Sequence, residues 1–220
     1  MHILLIVDCY LPSTKSVAQL ADDLARGFVG QGHDVTVLAP ADDLKDNVTV
    51  SDEPGLHVVR YRAGRMKGAN LTLRAMNEVV ISLVAALRTR GYMAHRRYDY
   101  IVFYSPSIFY GPLVAYFRRR WKARSYLILR DIFPDWAIHT GVLRKGPAYY
   151  LFKVFERIQY RAADVIGVET ARSYEYFKMT PFIGKVELLR NWATTDRPGR
   201  VDRSYRRELE TTQGRRQAAV

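Results

Sequence analysis

Residues His2 to Val7 read HILLIV, an apolar run with no polar alternation. A strand covered on both faces in a parallel sheet has this pattern, because helices bury each side. It is expected to be the first and central strand. From Val17 to Gln31 the pattern changes: Val17, Ala18, Leu20, Ala21, Leu24, Ala25, Phe28 and Val29 recur at helical spacing, and Gly30 and Gly32 supply a stop. Asp34 to Ala39 then returns to a strand pattern, completing a βαβ unit whose crossover should be right-handed.

The alternation continues. The pattern predicts a strand at Leu56 to Tyr61, a long helix at about Leu71 to Arg90, and a strand at Tyr100 to Tyr104. A helix near Tyr110 to Trp121 precedes a strand at Tyr126 to Leu129. Pro147 opens a helix that runs to Ala162, since proline suits the first turn. Strands at Asp164 to Val168 and Val186 to Leu189 flank a short helix at Ala171 to Phe177. Roughly seven strands alternating with helices define an α/β class: a Rossmann-like parallel sheet with helices on both faces. From Thr194 periodicity is lost and Arg and Asp dominate. The first domain is therefore expected to be 1–193, followed by a basic tail, 194–220, with a weak helical stretch around Tyr205 to Leu209.

In such a sheet the loops leaving the strand ends converge on one edge, where ligands bind. The first carries Tyr10, Ser13 and Ser16 to a helix N-terminus, whose free amides suit an anion or a sugar oxygen. It has no glycine, which argues against a dinucleotide fingerprint or a P-loop. Ser16 also suits a helix cap. The second loop, from Ser105 to Tyr110, offers hydroxyls and aromatics for a sugar-sized cleft. The third reads Arg130, Asp131, Ile132, Phe133, Pro134, Asp135, Trp136 and sets three charges directly after a buried strand. There Asp131 can accept a hydrogen bond or a proton from a sugar hydroxyl, and Arg130 can fork a phosphate. Asp135 suits a cap for the helix after Pro134, and Glu169 begins the fourth loop. His33, His57, His95 and His139 lack metal-ligand spacing and no D-x-D triplet occurs, so no metal is expected.

Taken in order, the opening MHILLIVDCYLPSTKSVAQLADDLARGFVGQGHDVTVLAP, the central RDIFPDWAIHTGVL, then ADVIGVET and VELLRNWAT resemble the N-terminal domain of family 4 glycosyltransferases, closest to the bacterial branch that builds surface polysaccharides. The resemblance spans about Met1 to Thr195. It implies the N-terminal half of a GT-B fold, metal-independent retaining transfer, Asp131 as the catalytic residue, and a lipid-linked sugar acceptor. Two departures stand out: Ser13 to Ser16 replace a common Gly-Gly pair, and Arg130 stands where many members carry histidine. Only 28 residues follow Trp192, without the family's donor-binding basic residue and paired glutamates. The resemblance therefore implies no cofactor in this domain, with the nucleotide sugar held as co-substrate by a missing C-terminal domain or a separate donor-domain chain. Two alternatives stay open: a non-catalytic recruiting subunit, and half of a sugar-nucleotide epimerase.

Charge adds a partner. The 220 residues carry 34 Lys and Arg against 22 Asp and Glu, a formal net charge of +12. Arg118, Arg119, Arg120, Trp121 and Lys122 form one basic run, and Arg96 and Arg97 belong to a second. With nearby tyrosines they suit an anionic membrane surface, and no nucleic-acid motif accompanies them. Cys9 is the only cysteine, which points to a reducing compartment and a packing role. With no signal-peptide pattern and no run long enough to cross a bilayer, the expected location is cytoplasmic, peripheral at the inner face of the cytoplasmic membrane.

Overall fold

A computed structural model describes residues 1–41, 44–63, 71–105 and 107–192, with backbone alone for 71–78. The boundary at 193, the basic tail and its Tyr205 to Leu209 stretch lie outside the described residues.

The strands are β1 (His2–Ile6), β2 (Asp34–Ala41), β3 (Val48–Glu53), β4 (Leu56–Arg62), β5 (Tyr100–Tyr104), β6 (Arg124–Leu129), β7 (Val165–Val168) and β8 (Val186–Leu188). They form one sheet in the order β3-β4-β2-β1-β5-β6-β7-β8. β1 is central, as its apolar run requires: it pairs in parallel with β2 on one side and β5 on the other. The chain thus builds outward one way, then returns to build the other way, and the order reverses at β1 and β5.

One strand departs from the expected parallel sheet. β3 pairs antiparallel with β4 through a tight turn at Pro54 and Gly55, where Gly55 takes φ 75°. Its sequence, VTVSDE, is almost wholly exposed. An edge strand with solvent on both faces lacks the apolar pattern by which the other strands are read, and its conformation comes from pairing with β4.

The helices are α1 (Ser16–Gly30), α2 (Leu71–Ala94), α3 (Gly111–Trp121), α4 (Asp135–His139), α5 (Pro147–Ala162) and α6 (Ala171–Lys178). The expected single helix from Tyr110 begins instead as a 3-10 turn over Ile108–Tyr110, which passes into α3 at Gly111. α1 packs one sheet face through Ala21 and Ala25. The other face carries α2, α3, α5 and α6, with Ile81, Phe117, Tyr160 and Phe177 in one continuous core. In that core Phe117 stacks on Trp121 with centroids 4.3 Å apart. Phe109 meets the edges of Phe152 and Phe155 on α5. Phe152 also touches Phe133, so the loop after β6 is anchored to the helix layer.

Candidate functional site

The ends of β5, β6 and β7 and the start of α1 meet at one edge of the sheet. Ser16, Val17 and Leu20 from α1, Tyr104 and Ser105 after β5, Arg130 and Asp131 after β6, and Glu169 after β7 line a crevice of about 220 Å³. Four segments distant in sequence are brought together because parallel strands end at the same level. The volume suits a single sugar ring.

Arg130 forms an ion pair with Glu169 Oε1 at 3.1 Å and donates a hydrogen bond to the Asn191 side chain. These contacts hold the guanidinium across the crevice rather than out in solvent. Asp131 is exposed. Deeper in, the Tyr104 hydroxyl and Ser105 Oγ are buried and have no hydrogen-bond partner among the described residues. A buried hydroxyl without a partner forfeits free energy, so both are ready to bond a polar ligand. Burial raises the Tyr104 pKa, which keeps its hydroxyl a donor at neutral pH.

Several expected site residues serve the scaffold instead. Tyr10 is turned inward, and its hydroxyl donates to Asp22 Oδ1 at 2.6 Å. Arg26 holds the other oxygen of Asp22 at 2.9 Å. Tyr10 therefore pins the first loop to α1 and does not line the cleft. Tyr10→Phe is expected to cost about 1 to 2 kcal/mol in urea unfolding, since Asp22 is buried and would keep only Arg26. Tyr110 is fully buried, with its hydroxyl 3.0 Å from that of Tyr61, so it too is core rather than cleft wall. Both corrections have one cause: aromatic rings beside an apolar sheet gain more by burial than by facing a wet cleft.

Neither expected cap forms. Lys15 occupies the N-cap of α1, no side-chain cap bond is made there, and Ser16 is left to the crevice. Ser13 Oγ instead accepts a bond from the Lys15 amide. Asp135 lies in the first turn of α4 and accepts bonds from Tyr149 at 2.9 Å, Tyr176 at 2.7 Å and Lys153 at 3.2 Å. Burial pushes its carboxyl up, but these hydrogen bonds and the Lys153 charge outweigh it and leave the pKa below the usual value. Asp135 thus ties the loop after β6 to α5 and α6. Cys9 is half-buried, and its thiol is pushed up to about 11 by burial and by Asp8, which suits packing rather than reactivity.

Tyr104, Leu20 and Asn191 join the site although the sequence pattern assigns none of them a site role. Tyr104 ends an apolar strand and reads as core. Asn191 reaches Arg130 only through the final parallel strand. The basic run also divides: Trp121 is buried in the core, so it cannot touch a membrane as expected, and Arg118 is bonded to Asp164 and the Ala162 carbonyl. Arg119, Arg120 and Lys122 are exposed. Arg120 also bonds the Tyr116 hydroxyl and the Ala94 carbonyl. Arg97 is exposed, and Arg96 lies over the Tyr92 ring at 4.3 Å.

A mostly parallel Rossmann-like sheet with its crevice at the reversal of strand order is the architecture of one half of a GT-B glycosyltransferase. The model for the glycosyl transferase 4-like domain matches residues 17–192, and the chain belongs to that family. No curated protein sequence matches it. Similar solved structures include sucrose-phosphate synthase from Thermosynechococcus elongatus, at 13% identity over 86% of this chain and 47% of that one, with TM-score 0.62. The catalytic domain of starch synthase IV from Arabidopsis thaliana, bound to ADP and acarbose, aligns at 13% identity over 86% of this chain and 51% of that one, TM-score 0.57. UGT89C1 of Arabidopsis thaliana, complexed with UDP-L-rhamnose, aligns at 12% identity over 89% and 53%, TM-score 0.58. The chain therefore spans about half the length of these structures.

Proposed function

We propose that this chain is the acceptor-side half of a retaining glycosyltransferase, receiving a sugar from a nucleotide sugar onto a lipid-linked acceptor during polysaccharide assembly. The observation that supports it is the crevice itself, where Ser16, Ser105, Arg130, Asp131 and Glu169 meet around two unpartnered buried hydroxyls. In this reading Tyr104 and Ser105 hydrogen-bond the acceptor ring. Arg130, held by Glu169, faces the phosphate side. Asp131 accepts the hydrogen bond of the attacking hydroxyl and takes its proton. The new bond forms from that oxygen to the anomeric carbon on the same face from which the nucleoside diphosphate departs, as the bond to the diphosphate breaks, so the configuration is retained.

The nucleotide sugar is presented by a second Rossmann-like domain, in the same polypeptide or on a separate chain, and no metal or nucleic acid takes part. Among the described residues no group of His, Cys, Asp and Glu could hold a metal ion. None of their helices is long and apolar enough to cross a membrane. The lipid-linked acceptor then puts the protein at the inner face of the cytoplasmic membrane as a peripheral component.

The test is transfer from a nucleotide sugar to a polyprenyl-diphosphate sugar with the donor domain supplied. Asp131→Asn is expected to lower kcat at least about 100-fold, with a small change in acceptor KM. Unchanged transfer by that variant would reject the catalytic role and favour a recruiting subunit. Acceptor-free epimerisation of the nucleotide sugar would favour an epimerase half.

A further inference from the structure

The helices α2, α3 and α5 each leave the strand-end edge and return to the start of the next parallel strand, so all run from the crevice edge toward the opposite edge. They lie side by side on one sheet face. Their outward positions follow one plan. On α2 the exposed stripe reads Val80, Leu83, Leu87 and then Arg90, spaced three, four and three residues apart. On α3 exposed Tyr116 is followed by Arg119 and Arg120. On α5 exposed Tyr150, Leu151 and Val154 are followed by Arg157 and Arg161.

Among the described side chains of each helix, exposed apolar positions thus come first and exposed arginines follow toward the edge opposite the crevice. Singly exposed apolar side chains are ordinary, but these sit on neighbouring helices, each set on the crevice side of that helix's exposed arginines. Leu83 and Leu87 are each 59% exposed and Tyr150 64%. Trp136 and Val142, also exposed, lie in the segment joining the third crevice loop to α5.

At the cationic end a groove of about 720 Å³ opens between α3 and α5, lined by Arg118, Arg119, Lys122, Arg124 and Arg161. Asp164 also lines it, but its oxygens are bonded by Arg118 and by the amide and hydroxyl of Ser125. Arg118 Nε is buried without a hydrogen-bond partner among the described residues. The groove is at the edge opposite the crevice, and its lining suits phosphate oxygens.

We propose that the outer face of α2, α3 and α5 is a docking surface for an anionic bilayer, with the apolar half entering the headgroup boundary and the arginine half on the lipid phosphates. Charge complementarity selects the lipid surface over an apolar protein partner, since a purely apolar groove would not end in arginines on every helix. Leu151 and Arg161 are about 15 Å apart along α5 at a rise of about 1.5 Å per residue. The apolar side chains need a depth of only about 5 to 10 Å, so the crevice end dips toward the membrane. This orientation rests on the proposed lipid-linked acceptor; the docking does not, because the bilayer alone supplies the ligand.

The experiment is co-sedimentation of the full chain with phosphatidylcholine vesicles, with and without phosphatidylglycerol and with no acceptor present. Wild-type protein is expected to bind the anionic vesicles and to be released as salt rises. Replacing Leu83 and Leu87 with serine should weaken binding at least tenfold. Arg157→Gln with Arg161→Gln should remove the preference for phosphatidylglycerol while leaving thermal unfolding unchanged. Asp131→Asn should bind as wild type, which separates docking from transfer. Equal binding by all variants, or no preference for anionic lipid, would overturn the proposal. So would a concentration-dependent dimer in solution lost in the Leu83 and Leu87 variant, which would assign the face to a second copy.

Discussion

Lys153→Met is expected to destabilise the protein by about 3 kcal/mol at neutral pH, and to recover much of that loss in mild acid. Lys153 is paired with Glu156 and lies 3.2 Å from Asp135 Oδ2. The Glu156 side chain is only 2% exposed. Without the ammonium its carboxylate would be left with the Tyr160 hydroxyl at 3.2 Å as its hydrogen-bond donor. Burial already raises the Glu156 pKa above its ordinary value, although Lys153 opposes that rise. Removing Lys153 raises it further.

A carboxyl whose folded pKa exceeds its unfolded one binds its proton more tightly when folded. It therefore costs stability as pH climbs past the unfolded value, and the variant gains stability as pH falls toward it. Asp135 works the other way in the wild type: its lowered pKa contributes stability that is present above the unfolded value and fades in acid. Both trends narrow the gap between the two proteins at low pH. Urea unfolding at about pH 7 and about pH 5 measures it. A gap of the same size at both values would mean that Glu156 is not the group left unpaired.

Gly111→Ala is expected to cost about 3 kcal/mol, at the upper end for overpacking. A Cβ there would lie 2.7 Å from Gln159 N, 2.8 Å from Gln159 Cα and 3.1 Å from Ile158 C. All of these are backbone atoms of α5, so no side chain can rotate away and α3 must separate from α5. Gly91, exposed on α2, has nothing within 4 Å of the same position. Gly91→Ala should instead stabilise by about 0.5 to 1 kcal/mol through helix propensity. Chemical denaturation of the two variants compares contact with propensity directly; equal effects of either sign would refute the close approach.

Burial patterns long enough to repeat were readable before any coordinates. HILLIV predicted a central strand because only a doubly covered strand can be apolar throughout, and the range Pro147 to Ala162 matches α5 from end to end. β3 was missed because pairing, not burial, makes it a strand. The convergence of Ser16, Ser105, Arg130, Asp131 and Glu169 was also legible, since it follows from parallel strands ending at one level. Which aromatics would line the crevice was not. Tyr10, Tyr110 and Trp121 resemble surface residues as letters, yet Asp22, Tyr61 and Phe117 draw them inward.

By itself, then, the order of residues determined the alternation of strands and helices, the loops that reach the binding edge and the excess of positive charge. These depend on local periodicity, on chain connectivity and on counting. Tertiary structure alone decided that Arg130 is braced by Glu169, that Lys153 holds Glu156 and Asp135 together, and that the outward stripes of α2, α3 and α5 line up as apolar and cationic halves. Such pairings join residues far apart in sequence, and their energies depend on distance and burial, which exist only once the sheet has closed around its core.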